Sequence, residues 1–264
     1  MIKIIVSDLD GTLLNSNKQI SERTEKELVQ LKEAGYILGV ATGRPLFSVL
    51  ASVPNAKTLF DFAICNNGGD IHDFKDNTTH HNLPLSGKTV LEIVETYRPL
   101  GANPILYLNS QMVTERPDDY NYSIRNMLDI VFVGDIVPKI EKEHAKIIFS
   151  ATPEVVEKMQ TYYAVHPSED YKMFKSQAQL VEFTNPHINK ELGLEYYCEK
   201  YGYELSHVLS FGDNDNDFEM VKAAGVGVAV ENATDKVKAV ADHITLTNDE
   251  EGVYHFLQSY FARD

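Results

Sequence analysis

Five residues near the N-terminus, Asp8-Leu9-Asp10-Gly11-Thr12, carry the clearest chemistry in the chain. They follow an apolar run, Ile2 to Val6, that reads as a buried strand. Residues two apart in extended structure point to the same side, so Asp8 and Asp10 can face one cavity. The first carboxylate can attack phosphorus and the second can carry a proton. Gly11 lets the backbone turn closely beside a phosphate. A second acidic run, Gly212-Asp213-Asn214-Asp215-Asn216-Asp217, lies at the far end of the chain. Asp8 together with Asp213 would bind a hard cation through oxygen. Magnesium suits such a site, because it uses few carboxylates, several waters and substrate phosphate. The cation would offset repulsion between Asp8 and an anionic phosphate. Thr42 offers a hydroxyl and Gly43 an unobstructed N–H for phosphate oxygens, and Lys190 an ammonium for the phosphate and Asp8.

These residues need a frame that gathers them. Ile2–Val6, Ile37–Ala41, Phe62–Cys65, Val208–Phe211 and Val226–Val230 read as nearly all-apolar strands, with Ile244–Leu246 as a last one. Helices alternate with them. One starts at Ser21 or Thr24 as N-cap and stops at Gly35; others span Phe218–Ala224 and Ala233–Ala241. That alternation predicts an α/β fold, a Rossmann-like doubly wound parallel sheet covered on both faces. Asp8/Asp10, Thr42 and Asp213/Asp217 then fall at C-terminal strand ends, the edge where open α/β sheets bind ligands.

Between about Leu83 and Asn185 the pattern changes. Helical stretches (Thr89–Tyr97, Tyr120–Leu128, Glu154–Tyr163) alternate with paired strands, Ile105–Leu108 with Met112–Glu115 and Tyr171–Lys175 with Leu180–Thr184. This predicts an α+β domain over 83–185, inserted into a core of 1–82 and 186–264. Asn77–His81 and Thr184–Pro186 read as hinge linkers, and His80-His81 as polar linker rather than a metal pair. Asp215 reads as a loop residue, and the insert's tyrosines (Tyr97, Tyr107, Tyr120, Tyr122, Tyr171) mostly as core or surface.

The 264 residues carry a net charge of −15, with −4 in the insert and −11 in the rest. Neither part offers the basic face that sequence-independent nucleic-acid binding needs. No apolar run approaches the length of a membrane span. Cys65 and Cys198 stand far apart in no ligand spacing, and no leader-like segment precedes the first strand. A cytoplasmic protein with reduced cysteines is expected.

Taken together, the chain resembles a haloacid dehalogenase superfamily phosphatase of the Cof type, with a large cap inserted between the second and third motifs. Asp8–Thr12 matches the first motif, Ala41-Thr42-Gly43-Arg44 the second, Lys190 the third and Gly212–Asp217 the fourth. Asn66-Asn67-Gly68 and Gly227–Asp242, including Asn232-Ala233, also fit. Glu191 and Glu231 depart from the small residue and the glycine usual at their positions. The resemblance implies Asp8 as nucleophile and Asp10 as acid/base. Mg²⁺ would sit on Asp8, the Asp10 carbonyl and Asp213, with Asp217 a direct or indirect metal-side carboxylate. Arg44 reads either as a helix-start surface residue or as one that faces the cap and binds substrate, and the resemblance would place Thr42, Gly43, Lys190 and Asn216 on phosphate. It implies hydrolysis of a small phosphorylated metabolite, sugar phosphates first, with flavin mononucleotide, pyridoxal phosphate and nucleotides open. A phosphomutase or a catalytically silent binding module on the same fold remains as an alternative, and the oligomeric state stays open.

Overall fold

A strand that is apolar along its whole length must be covered on both faces. The computed structural model, which describes residues 1–109, 111–120 and 129–262, does this with helices packed on either side of one large sheet. Its strands are β1 (Ile4–Ser7), β2 (Ile37–Ala41), β3 (Phe62–Cys65), β4 (Asp70–Asp73), β5 (Thr78–His81), and, after the insert, β14 (Val208–Gly212), β15 (Val226–Ala229) and β16 (His243–Ile244). Their order is β16-β15-β14-β1-β2-β3-β4-β5. The pairings from β16 to β3 are parallel, while β4 and β5 add an antiparallel hairpin at one edge. Successive residues of β1 serve opposite faces. Ile5 packs with Leu28, Leu31, Leu38 and Leu257, whereas Ile4 and Val6 pack with Leu194, Tyr197 and Met220.

The register explains where the site falls. Ile4 pairs with both Val208 and Ile37, so the parallel strands β1, β2 and β14 end at the same edge. The next residues are Asp8, Thr42 and Asp213. The helix Glu22–Glu33 begins where its sequence signals it, with the Ser21 side chain accepting from the Thr24 N–H. Gly35 follows its end at φ +92°.

Three local expectations differ. Thr78–His81 is not a linker but the edge strand β5, paired with β4. Its short polar run hides the strand from a hydrophobic pattern, because only one neighbour covers it. Ala233–Ala241 is α-helical only over Asp235–Lys238, and Ile244–Leu246 shortens to His243–Ile244.

By contacts the chain divides into Met1–Asn82 with Asn189–Asp264, and Leu83–Ile188. The second unit pairs β6 (Leu85–Ser86) with β10 (Glu143–His144) and contains a six-stranded sheet of order β12-β13-β11-β7-β8-β9. These are β7 (Asn103–Leu108), β8 (Gln111–Thr114), β9 (Ile130–Phe132), β11 (Ile147–Ser150), β12 (Lys172–Gln177) and β13 (Leu180–Thr184). Helices Gly87–Tyr97 and Pro153–Val165 bury Val94, Tyr97 and Met159 with Phe149 and Phe183. Tyr97 and Tyr171 belong to this core, and Tyr120 is exposed. Most of the expected helix Tyr120–Leu128, with Tyr122, lies outside the described residues. Cys65 and Cys198 are both buried and not joined in a disulfide, and no described helix is long and apolar enough to cross a membrane.

Candidate active site

Asp8 follows β1 directly and is almost fully buried. Its carboxylate accepts from Lys190 Nζ at 2.6 Å. The same ammonium, completely shielded from solvent, donates to Asp217 Oδ1 at 2.6 Å. Lys190 is the first residue of the helix Lys190–Lys200, whose N-cap Asn189 accepts from Leu192 N–H. The turn Asn66–Gly68 presses on this helix start. Gly68, at φ +100°, lies against the Asn189 carbonyl so closely that a Cβ would meet that oxygen at 1.9 Å. Only glycine admits this approach.

Asp213 follows β14, and its Oδ1 accepts from the Thr12 hydroxyl at 2.7 Å. Gly11, at φ +86°, faces the same carboxylate; a Cβ there would lie 2.6 Å from Asp213 Oδ2. Asp217 spends its second oxygen on the backbone N–H groups of Asp213 and Asn214, both at 3.0 Å. Asp217 therefore shapes the loop that presents Asp213 while anchoring Lys190. Carboxylate oxygens of Asp8, Asp213 and Asp217 lie within 4.8 Å of one another. Burial, outweighing the Lys190 ammonium, pushes the Asp8 carboxyl well above its usual range, and Asp217 and Asp213 add to this. Burial and the Asp217 charge likewise raise Asp213. For Lys190 burial works the other way, but the Asp217 and Asp8 charges keep it firmly protonated. Three clustered carboxylates against one ammonium leave an excess of negative charge on hard oxygen donors, a setting that fits a divalent cation.

Asp10 stands apart from this cluster. Arg44 grips it with two parallel bonds, Nε to Oδ2 and Nη2 to Oδ1, both 2.5 Å. Lys18 Nζ adds a third at 2.9 Å. Burial opposes ionisation of Asp10, yet the bonds from Arg44 and Lys18 hold its carboxyl below the usual range. Arg44 also donates to Ser52 Oγ, so its guanidinium is engaged with Asp10 and Ser52 in this structure. Thr42 is buried, and its Oγ1 accepts from Arg44 N–H at 3.2 Å. Asn216 Nδ2 donates to Asn67 Oδ1 at 2.8 Å, and that amide lies against Gly43.

The fold thus brings Asp8, Lys190, Asp213 and Asp217 into one cluster and pairs Asp10 with Arg44. It sets Asn216 on the Asn67 side chain, beside Gly43, and the Asn67 N–H donates to the Thr42 carbonyl. Sequence reasoning assigned no role to Lys18, Thr12 or Asn67. The signal for Asn67 was present in Asn66-Asn67-Gly68, whose asparagines adopt positive φ (50° and 56°). Lys18, in a polar turn, offered none.

A sequence model of haloacid dehalogenase-like hydrolases matches residues 5–257. The chain belongs to this family. Its similarity to a 5-amino-6-(5-phospho-D-ribitylamino)uracil phosphatase of Bacillus subtilis is 32% identity, covering 98% of this chain and 97% of the relative. A pyridoxal phosphate phosphatase of Escherichia coli is 27% identical, covering 98% of both chains. A haloacid dehalogenase-like hydrolase from Bacteroides thetaiotaomicron superposes with a TM-score of 0.90 at 32% identity, over 99% of this chain and 100% of that one. The haloacid dehalogenase-like chain is accordingly an enzyme, a phosphoric monoester hydrolase, with the family's Rossmann-like core.

Proposed function

We propose that the protein is a Mg²⁺-dependent phosphatase that cleaves a small phosphomonoester through an aspartyl-phosphate on Asp8. The observation that carries this reading is the buried Asp8–Lys190–Asp217 chain with Asp213 beside it, at the C-terminal edge of a parallel sheet. An Asp8 oxygen attacks phosphorus, forming the O–P bond as the bond to the leaving alcohol oxygen breaks. Lys190 directs the other Asp8 oxygen away and offers positive charge to the transferring group. Asp8 and Asp213 would hold the cation, which when bound would neutralise charge on the phosphoryl oxygens. Asp217, with both oxygens engaged, acts through Lys190 and the Asp213 loop.

Asp10 supplies the proton to the leaving oxygen and takes one from the water that later attacks the aspartyl-phosphate. Its grip by Arg44 and Lys18 favours the carboxylate, the form that accepts the water's proton; to serve as the acid of the first step it takes up a proton from solvent when bound substrate draws Arg44 away, and that is the proton passed to the leaving oxygen. Arg44 thereby serves Asp10 and comes to substrate only when it lets go. Thr42, Gly43 and Asn216 bind phosphate, with Asn67 ordering Asn216. Residues 83–188 act as the cap that selects the leaving group, and the enzyme works in the cytoplasm on free metabolites. The two named relatives act on a ribityl phosphate and on pyridoxal phosphate, so sugar or sugar-alcohol phosphates lead and pyridoxal phosphate follows.

The test is phosphate release from sugar, sugar-alcohol, nucleotide, flavin and pyridoxal phosphates, with and without Mg²⁺. Wild type should turn over at least one, and Asp8→Asn should lose roughly three orders of magnitude or more in kcat while remaining folded. No release from any substrate would overturn the reading in favour of a mutase or a binding protein.

A further inference from the structure

The loop carrying Asp10 and Lys18 runs as turns from Gly11 to Gln19, and three residues from the far end of the chain hold it. Asn232 Nδ2 donates to the Gly11 carbonyl at 2.7 Å, and its Oδ1 accepts from Asn248 N–H at 3.0 Å. Asn248 Nδ2 in turn donates to the Leu14 carbonyl at 2.9 Å. Asp249 takes both donors of Ser16, N–H at 2.7 Å and Oγ at 2.6 Å. The amide orientation of Asn232 follows from its partners, because one is a carbonyl and the other an N–H. Gly11 is the residue after Asp10, and its other side lies against the Asp213 carboxylate. The Gly11 peptide is therefore fixed from two directions.

Asn232 and Asp249 are exposed, so the clamp contributes little to core packing. Apart from the Asn248–Asn232 bond that joins its members, its bonds end on the one loop that, in the phosphatase reading, must keep Asp10 over the same space as Asp8. We infer that Asn232, Asn248 and Asp249 are positioning residues for the Asp8–Asp10 loop, an inference that rests on the phosphatase reading above. They set where Asp10 stands relative to the phosphoryl group without touching substrate.

Steady-state kinetics with p-nitrophenyl phosphate and Mg²⁺, together with hydrogen exchange of residues 9–19, tests this. Displacement of a reacting group by about 1 Å costs on the order of 100-fold, so Asn232→Ala should lower kcat by about 10- to 100-fold. Because substrate binding groups are untouched, KM should stay within about twofold. Asn232→Asp keeps the acceptor for Asn248 but cannot donate to Gly11, and it should lose kcat like the alanine variant; it also serves if alanine impairs folding. Asn232 and Asn248 share a bond, so Asn232→Ala combined with Asn248→Ala should cost less than the product of the single losses. Arg23→Ala removes the neighbouring Arg23–Glu251 surface pair and should leave kcat unchanged. Faster exchange over residues 9–19 with a reduced kcat supports the clamp. Unchanged exchange, or faster exchange with kcat within twofold of wild type, overturns it. A wild type inactive on this ester and on every substrate of the panel above overturns the phosphatase reading and the positioning role with it, while the exchange data still report whether the loop is held; if only a panel member is turned over, that substrate replaces the ester in the same comparison.

Discussion

Two aspartates two residues apart sit in opposite environments. Asp8 is buried against a fully buried ammonium, and burial drives its carboxyl upward. The Asp10 side chain is 36% exposed and tied to Lys18, itself 61% exposed, and to Arg44. Despite partial burial, those cations drive its carboxyl downward. Environments that push paired carboxyls apart assign them different tasks. Around Asp8 every partner is itself held: Lys190 by a capped helix start, Asp217 by two backbone N–H groups. Around Asp10 the partners are long side chains that can exchange one oxygen for another. In the proposed two-step transfer this contrast suits a fixed nucleophile, Asp8, beside a releasable proton carrier, Asp10, because only the second would change protonation state between steps.

Removing Lys190 should break this contrast most completely. Lys190→Met leaves Asp217 and Asp8 buried without their ammonium. Loss of one partner of a buried ion pair costs roughly 3–5 kcal/mol, which urea unfolding would register. Activity should fall by about a thousandfold or more, since nucleophile orientation and charge stabilisation are lost together. Near-wild-type stability and turnover would mean the buried cluster is not the organising centre. Asp217→Asn sharpens the same point at a lower cost. An amide has one acceptor where the carboxylate serves Lys190 at one oxygen and two N–H groups at the other. One set of donors is then unsatisfied, at roughly 1–3 kcal/mol, with activity reduced but measurable.

The buried half of the site was legible in the sequence and the exposed half only in part. Asp8, Thr42 and Asp213 each follow an apolar run, so strand periodicity and parallel pairing were enough to bring them to one edge. Lys190 was legible only through its place straight after the insert and in a family pattern. Its helix starts after a whole inserted unit, and nothing local says that the side chain turns inward. Arg44 was read as a surface residue or a substrate binder, and its hold on Asp10 and Ser52 was in neither reading. A side chain that long can serve either, and tertiary packing decides. Lys18 and Asn67 depend on turns whose positive φ values, 60° and 56°, put side chains where no helical or strand period predicts. The edge strand Thr78–His81 escaped because its pairing partner, not its composition, makes it a strand.

Arg44→Lys tests the exposed half while keeping the charge. Lysine cannot reproduce the two parallel bonds to Asp10. With Asp10 less well oriented, kcat should drop by about tenfold, and Tm should hold because the site is partly open. Equal turnover in Arg44→Lys would mean charge alone is needed and the fork is incidental.

Lys18→Met should have the smallest effect, and its sign with pH is fixed. The folded pKa of Asp10 lies below 3.8, so the ion pair stabilises the fold fully above that value. That contribution fades as pH falls through the folded pKa, where Asp10 gains its proton. The Lys18 ammonium is well exposed, so screening keeps the pair under about 1 kcal/mol. At pH 7 and low salt, Lys18→Met should therefore unfold in urea at a slightly lower midpoint than wild type. The gap should close in about 1 M salt, where the Debye length falls to about 3 Å, and also as pH falls through the folded pKa of Asp10. A gap that persists in high salt would show that Lys18 acts by packing over the loop. The division between a fixed and an exchangeable half of the site would then have to be redrawn.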